Sequence, residues 1–135
     1  MHDTKIGIIV RLDLEVWQKL NVTAFLASGL AAKFSESIGE QYKDGSGGTY
    51  LPIFNQPVFV YMASAEELQR TRTRALSREV PLALYTKEMF STGNDVDNRA
   101  VVKAVKADDL DIVGLALRAE RKTFDKIING LKLHP

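Results

Sequence analysis

Lys5 to Phe34 reads KIGIIVRLDLEVWQKLNVTAFLASGLAAKF, and this stretch decides the fold. Its opening, Ile6 to Val10, is apolar and rich in β-branched side chains, the composition of a strand buried on both faces of a sheet. Charge appears abruptly at Arg11-Leu12-Asp13. From Val16 the apolar positions Val16, Leu20, Ala27, Leu30, Ala31 and Phe34 recur mostly at helical spacing, which predicts a helix from about Glu15 to Ser35. Every later element must pack on this strand–turn–helix unit. In α/β sheets ligands sit outside the carboxyl ends of strands. Arg11, Asp13, Lys19 and Asn21 fall in or just after such a loop and are the first candidate site residues.

Composition narrows the chemistry. The 135 residues suffice for one domain, with no linker or internal repeat, so residues 1–135 are read as a single α/β domain. A net charge of +1 supplies no overall field for nucleic acid. There is no cysteine, which removes disulfides, thiol catalysis and thiolate metal sites. The two histidines, His2 and His134, lie near opposite ends, so a histidine metal cluster would need the termini to meet. No metal or cofactor is therefore expected. The nearly apolar run Val22–Ala32 is shorter than the roughly 20 residues of a membrane helix. With no signal-peptide pattern at Met1–Thr4, a soluble cytoplasmic protein is expected.

After the first helix, Asp44-Gly45-Ser46-Gly47-Gly48 follows a helix and not a strand, so it reads as a mobile loop beside the site and not as a phosphate loop. Pro57–Met62 (PVFVYM) is the second strand. Ser64 and Glu67 make a capping box for a helix over about Ala65–Arg78. Arg70, Arg74 and Arg78 share one face of it, either a solvated face or a docking stripe for phosphate or RNA. Pro81–Tyr85 is the third strand, followed by a turn at Thr86–Phe90. Ser91–Arg99 (STGNDVDNR) is the densest polar segment. Asp95 is read as the N-cap of a helix over about Val96–Val105, which leaves Thr92, Asn94, Asn98 and Arg99 for a ligand. Leu110–Leu117 is the fourth strand, with Gly114 at a close approach. A last helix, about Arg121–Asn129, is closed by Gly130, and Leu131–Pro135 alternates like a short edge strand.

Taken in order, KIGIIVRLDL with Val22-Thr23-Ala24, then Gln56 through PVFVYMASAEELQ to PLALYT, then Asp125-Lys126-Ile127 with Gly130–Leu133, resembles type 2 peptidyl-tRNA hydrolases over roughly half the chain. The motifs WQKLN, QPV, TGND-DNR and GLKLHP are similar to a bacterial family, the domain-of-unknown-function two-thousand family, which resembles those hydrolases in fold. The resemblance implies a three-layer α/β/α sandwich around a four-stranded mixed sheet. The hydrolases place two lysines in a glycine-lysine-glycine-lysine turn. Here Trp17–Asn21 stands there, Lys19 is the only nearby amine, and Leu20 or Asn21 falls at the second lysine. The resemblance thus carries the place of a pocket and not the reaction.

The resulting expectation is a polar ligand or hydrolytic site at the strand ends. Arg11, Asp13, Lys19 and Asn21 would face Thr92, Asn94, Asp95, Asn98 and Arg99. Arg11 or Arg99 would hold a small anionic ligand, Lys19 would stabilise an oxyanion and Asp95 would orient water. Arg11 and Asp13 equally suit a salt bridge that fixes the first turn. Trp17 is a candidate pocket wall. A different class is a non-catalytic homodimeric binding or assembly module, with Tyr50–Phe54 as its contact surface. RNA binding without hydrolysis is a third reading, and it requires affinity that falls steeply with salt.

Overall fold

A computed structural model describes residues 2–135. Strand β1 (Thr4–Arg11) lies at the middle of a five-stranded mixed sheet of order β5-β6-β1-β4-β7. It pairs in parallel with β4 (Val58–Ala63), Ile6 opposite Val58, and antiparallel with β6 (Ile112–Glu120), Thr4 opposite Glu120. Successive strand side chains point to opposite faces. Ile8 and Val10 accordingly enter one core and Ile9 the other, all almost fully buried. The apolar run thus marks a strand covered on both sides, as its composition requires.

Helix α1 (Val16–Lys33) covers one face, seating Val22, Leu26 and Leu30 against Ile6, Ile8, Val10 and Val113. Helix α2 (Ala65–Ser77) and helix α4 (Arg121–Ile127) cover the other, where Leu68, Phe124 and Ile127 meet Ile9, Leu115 and Leu117. Gly114 of β6 lets α1 down onto the sheet. A Cβ there would lie 2.5 Å from Val22 Cγ1 and 2.9 Å from Leu26 Cδ1. The capping box of α2 forms as its sequence dictates: Glu67 N–H donates to Ser64 Oγ at 3.1 Å and Ser64 N–H to Glu67 Oε1 at 2.9 Å.

Several expectations are corrected. The sheet has five strands, not four, because β7 (Lys132–Leu133), the short edge strand of the tail, pairs antiparallel with β4. The glycine segment is the turn of a small hairpin between β2 (Tyr42–Lys43) and β3 (Thr49–Tyr50). It is tied by Asp44 Oδ1, which accepts from Ser46 and Gly48 N–H at 2.8 and 2.9 Å. Gly47 takes φ +87° there, a conformation that costs glycine little. Helix α3 spans Asp95–Lys103, and its N-cap is Asn94, not Asp95. Helix α4 stops at Ile127, ahead of Gly130 (φ +94°), and Arg74 Nη1 donates to the freed Asn129 carbonyl at 2.7 Å. The third strand, β5 (Ala83–Thr86), is the outer strand beside β6. Among the described residues no helix is long and apolar enough to cross a membrane.

Candidate functional site

The two polar segments singled out in the sequence meet only in part: Asn21 joins the second segment, and Arg11, Asp13 and Lys19 do not. Arg11 is 7% exposed at the end of β1. Its Nε donates to Asp13 Oδ1 at 2.8 Å, and its Nη1 donates to the Asp111 carboxylate and to the Ile112 carbonyl at 3.3 Å. Burial alone would lower its pKa, but the hydrogen bonds to Asp111 and Asp13 outweigh that and hold it above the ordinary value. Asp13 is held below its usual range, first by the same hydrogen bond from Arg11. The guanidinium is thus occupied by two carboxylates and pins the first turn to β6. Asp111, half of that arrangement, stands in the sequence as one acid among Asp108, Asp109 and Asp111 and carries no signal of its own.

Lys19 turns elsewhere. Its Nζ lies 3.1 Å from His134 Nε2, across 115 positions of chain. The ammonium is a pure donor, so the ring nitrogen facing it accepts. The backbone N–H of His134 donates to the Val60 carbonyl at 2.8 Å and continues the β4–β7 pairing. Lys19 therefore fastens the edge of the sheet to α1.

A cleft of about 910 Å³ lies between α1 and α3. One stripe of α1, Trp17, Asn21, Phe25 and Gly29, forms the first wall, and Asp95, Asn98, Arg99 and Val102 of α3 form the second. Ala83 and Tyr85 of β5 and Met89 and Phe90 of the 3-10 turn Lys87–Ser91 lie between them. Of the sequence candidates, Asn21, Thr92, Asn94, Asp95, Asn98 and Arg99 line this space, whereas Arg11, Asp13 and Lys19 are not in its lining.

Aromatic rings make a continuous surface in the cleft. Trp17 meets Phe90 edge-on with centroids 5.9 Å apart, Phe90 meets Tyr85 at 5.1 Å, and Tyr85 meets Phe25 at 5.6 Å. These separations are those of favourable ring pairs. Trp17 is nevertheless 60% exposed and Phe25 50%. Tyr85 is 4% exposed, and burial alone raises its phenol above the ordinary value, with no hydrogen bond contributing. Phe25, Tyr85 and Phe90 were legible in sequence only as core side chains. Phe25 lies eight positions after Trp17, on the same helix face.

Most polar groups of Thr92–Arg99 are committed locally. Asn94 Oδ1 accepts from Asp97 N–H at 2.8 Å, and its amide donates to Asp97 Oδ2 at 2.9 Å. The Thr92 hydroxyl donates to the Met89 carbonyl at 3.0 Å and contacts the Asn98 amide. Asp95 pairs with Arg99 one turn on. No residue of α3 is buried, so these bonds and the 3-10 turn hold this wall in place, with no core contact behind it. Among the described residues no group of three or more His, Asp or Glu side chains could hold a metal ion.

The arginine face of α2 is also occupied in part. Arg70 lies 3.7 Å from Glu67, Arg74 binds the end of α4, and Arg78 Nη1 donates to the Arg74 carbonyl at 3.1 Å. In the Tyr50–Phe54 segment, Phe54 packs on the α1-side core while Leu51 and Ile53 stay exposed.

A family model described as protein of unknown function (DUF2000) matches residues 4–135. Among solved structures, a protein of unknown function from Agrobacterium tumefaciens strain C58 is 50% identical, with full coverage of both chains and a TM-score of 0.98. No curated protein matches.

Proposed function

The chain belongs to the DUF2000 family of proteins of unknown function, and we propose that it is a small-molecule-binding domain whose ligand lies in the cleft between α1 and α3. The observation that carries this reading is the run of rings Trp17–Phe90–Tyr85–Phe25, left partly open to solvent along one concave surface. Aromatic side chains that line a cavity with a few polar groups are the usual make-up of a ligand pocket. The cleft volume lies within the range of roughly 300–1,000 Å³ typical of such sites. We read the fold as a three-layer α/β/α arrangement of the type 2 peptidyl-tRNA hydrolase kind, supported by α1 on one face and α2 with α4 on the other. Hydrolysis is not part of the proposal: Lys19 is turned to His134, and Asp95 is paired with Arg99.

Trp17 is the only tryptophan, which makes its fluorescence a local reporter of the cleft. A metabolite library is screened by thermal shift, and every hit is titrated against Trp17 emission. A ligand at about 100 times its dissociation constant adds about 2.7 kcal/mol of stability, enough to detect. Hits that perturb Trp17 and are weakened by Phe25→Ala are expected. Hits that leave Trp17 unaffected and survive Phe25→Ala would place the ligand elsewhere and refute the reading.

A further inference from the structure

We infer that the cleft ligand is a planar, uncharged molecule with hydrogen-bonding groups on its edge, of the heterocyclic amide or nucleobase type, and not an anion. The inference rests on the binding reading above and supplies the chemistry that reading leaves open. Three observations carry it.

The rings come first. Trp17 and Phe25 keep half or more of their surface open although each has an aromatic partner. A flat body laid along them would cover that surface and gain the ring contacts that a flexible polar chain would not.

Charge is the second. The one guanidinium in the lining, Arg99, is paired with Asp95. The first turn of α3 carries Asp95 and Asp97, which offset the positive end of the helix that an anion would seek. Lys103 also lines the cleft, in the last turn of α3 and at the far end from Asp95 and Asp97. Arg11, the other fork, is enclosed by Asp13 and Asp111 away from the cleft. A phosphate or carboxylate against these rings would lose water and find, besides the paired Arg99, only the exposed ammonium of Lys103 as a counter-charge.

The third is what remains uncommitted. The Tyr85 hydroxyl is shifted by burial alone, with no hydrogen bond contributing, Asn21 carries a side-chain amide, and both residues line the cleft. A phenol and an amide each present donor and acceptor. They match an uncharged edge that offers both, such as the amide or ring nitrogens of a heterocycle.

The test uses matched pairs read by the Trp17 indole N–H signal in NMR spectra of nitrogen-15-labelled protein: nicotinamide against nicotinate, adenosine and uridine against their 5′-monophosphates, with indole as an apolar control. The neutral member is expected to bind at least about tenfold tighter than its anion. Tyr85→Phe, which keeps the ring stack, and Asn21→Ala should each weaken the neutral member by about fivefold or more. Tighter binding of the anionic members, or neutral binding that ignores both variants, overturns the inference and leaves the cleft as a binding site. Absence of binding by every neutral heterocycle up to about 10 mM, with indole bound, overturns it in the same way. Silence of all probes, indole included, removes the binding reading as well.

Discussion

Gly114→Ala is the sharpest probe of how α1, and with it one wall of the cleft, is seated. The new Cβ would stand 2.5 Å from Val22 Cγ1, 2.9 Å from Leu26 Cδ1 and 3.4 Å from the Ile9 carbonyl oxygen. Ordinary carbon contacts need roughly 3.5–4 Å, so Val22 must retreat by about 1 Å. It has little room to do so: Val22 is fully buried, and a valine in a helix is confined to one χ1 well. The whole helix must lift or Leu26 must leave its rotamer. Overpacking of this kind costs about 1–3 kcal/mol. Alanine recovers about 0.5–1 kcal/mol of backbone entropy relative to glycine, which leaves a net loss of about 0–2.5 kcal/mol, centred a little above 1 kcal/mol. Urea unfolding followed by circular dichroism should show a lower midpoint at constant slope. Because Val22 is the clashing partner, Val22→Ala should cost much less in the Gly114→Ala background than alone, with a coupling of about 1 kcal/mol or more. If the two changes simply add, the close approach of α1 to β6 is wrong.

Other outcomes follow from single contacts. Asn94→Ala removes the cap of a helix with no buried residue, so it should cost about 1 kcal/mol locally and speed amide exchange in Asp95–Lys103 while the sheet amides keep their protection. Lys19→Ala should leave cleft binding within about twofold, since its amine sits at His134; loss of binding would return Lys19 to the site. Asp13 titrates below 3.8 in the folded chain, so its contribution is present above the unfolded value and is lost as pH falls through the lower, folded one. Asp13→Asn should therefore flatten the acid limb of a stability profile below about pH 4, and an unchanged limb would dissociate Asp13 from Arg11.

The sheet and its two cores were largely legible because burial writes itself into periodicity. Ile6–Val10 could only be a strand covered twice, and Val16 to Phe34 could only be a helix. Capping chemistry was legible at Ser64–Glu67, where both partners of the box are visible in four residues. It misled at Asp95, because Asn94 and Asp95 are comparable caps and only backbone geometry chooses between them. The β2–β3 hairpin went unseen because two-residue strands leave no alternation to read. The site was harder. The polar density of Thr92–Arg99 looked like unspent chemistry, yet most of it is spent on its own helix start. The aromatic surface was hidden because Phe25, Tyr85 and Phe90 each have an adequate core explanation, and only the tertiary path of β5 beside α1 lines them up with Trp17. The Lys19–His134 and Arg11–Asp111 contacts span 115 and 100 positions, distances over which sequence pattern carries no information.

The central place of β1 also sets an order of events during synthesis. Thr4–Arg11 is made before both of its neighbours, β4 and β6, and the antiparallel one is completed only at Glu120. Until then one edge of an intensely apolar strand has no partner, and such edges invite pairing with other chains. Until β6 follows, the nascent chain carries Ile6, Ile8 and Val10 sheltered chiefly by α1, while Ile9 faces the other core and waits for α2 and α4. Folding of this domain is therefore limited by long-range closure, and its vulnerable period is the interval before residue 120 emerges.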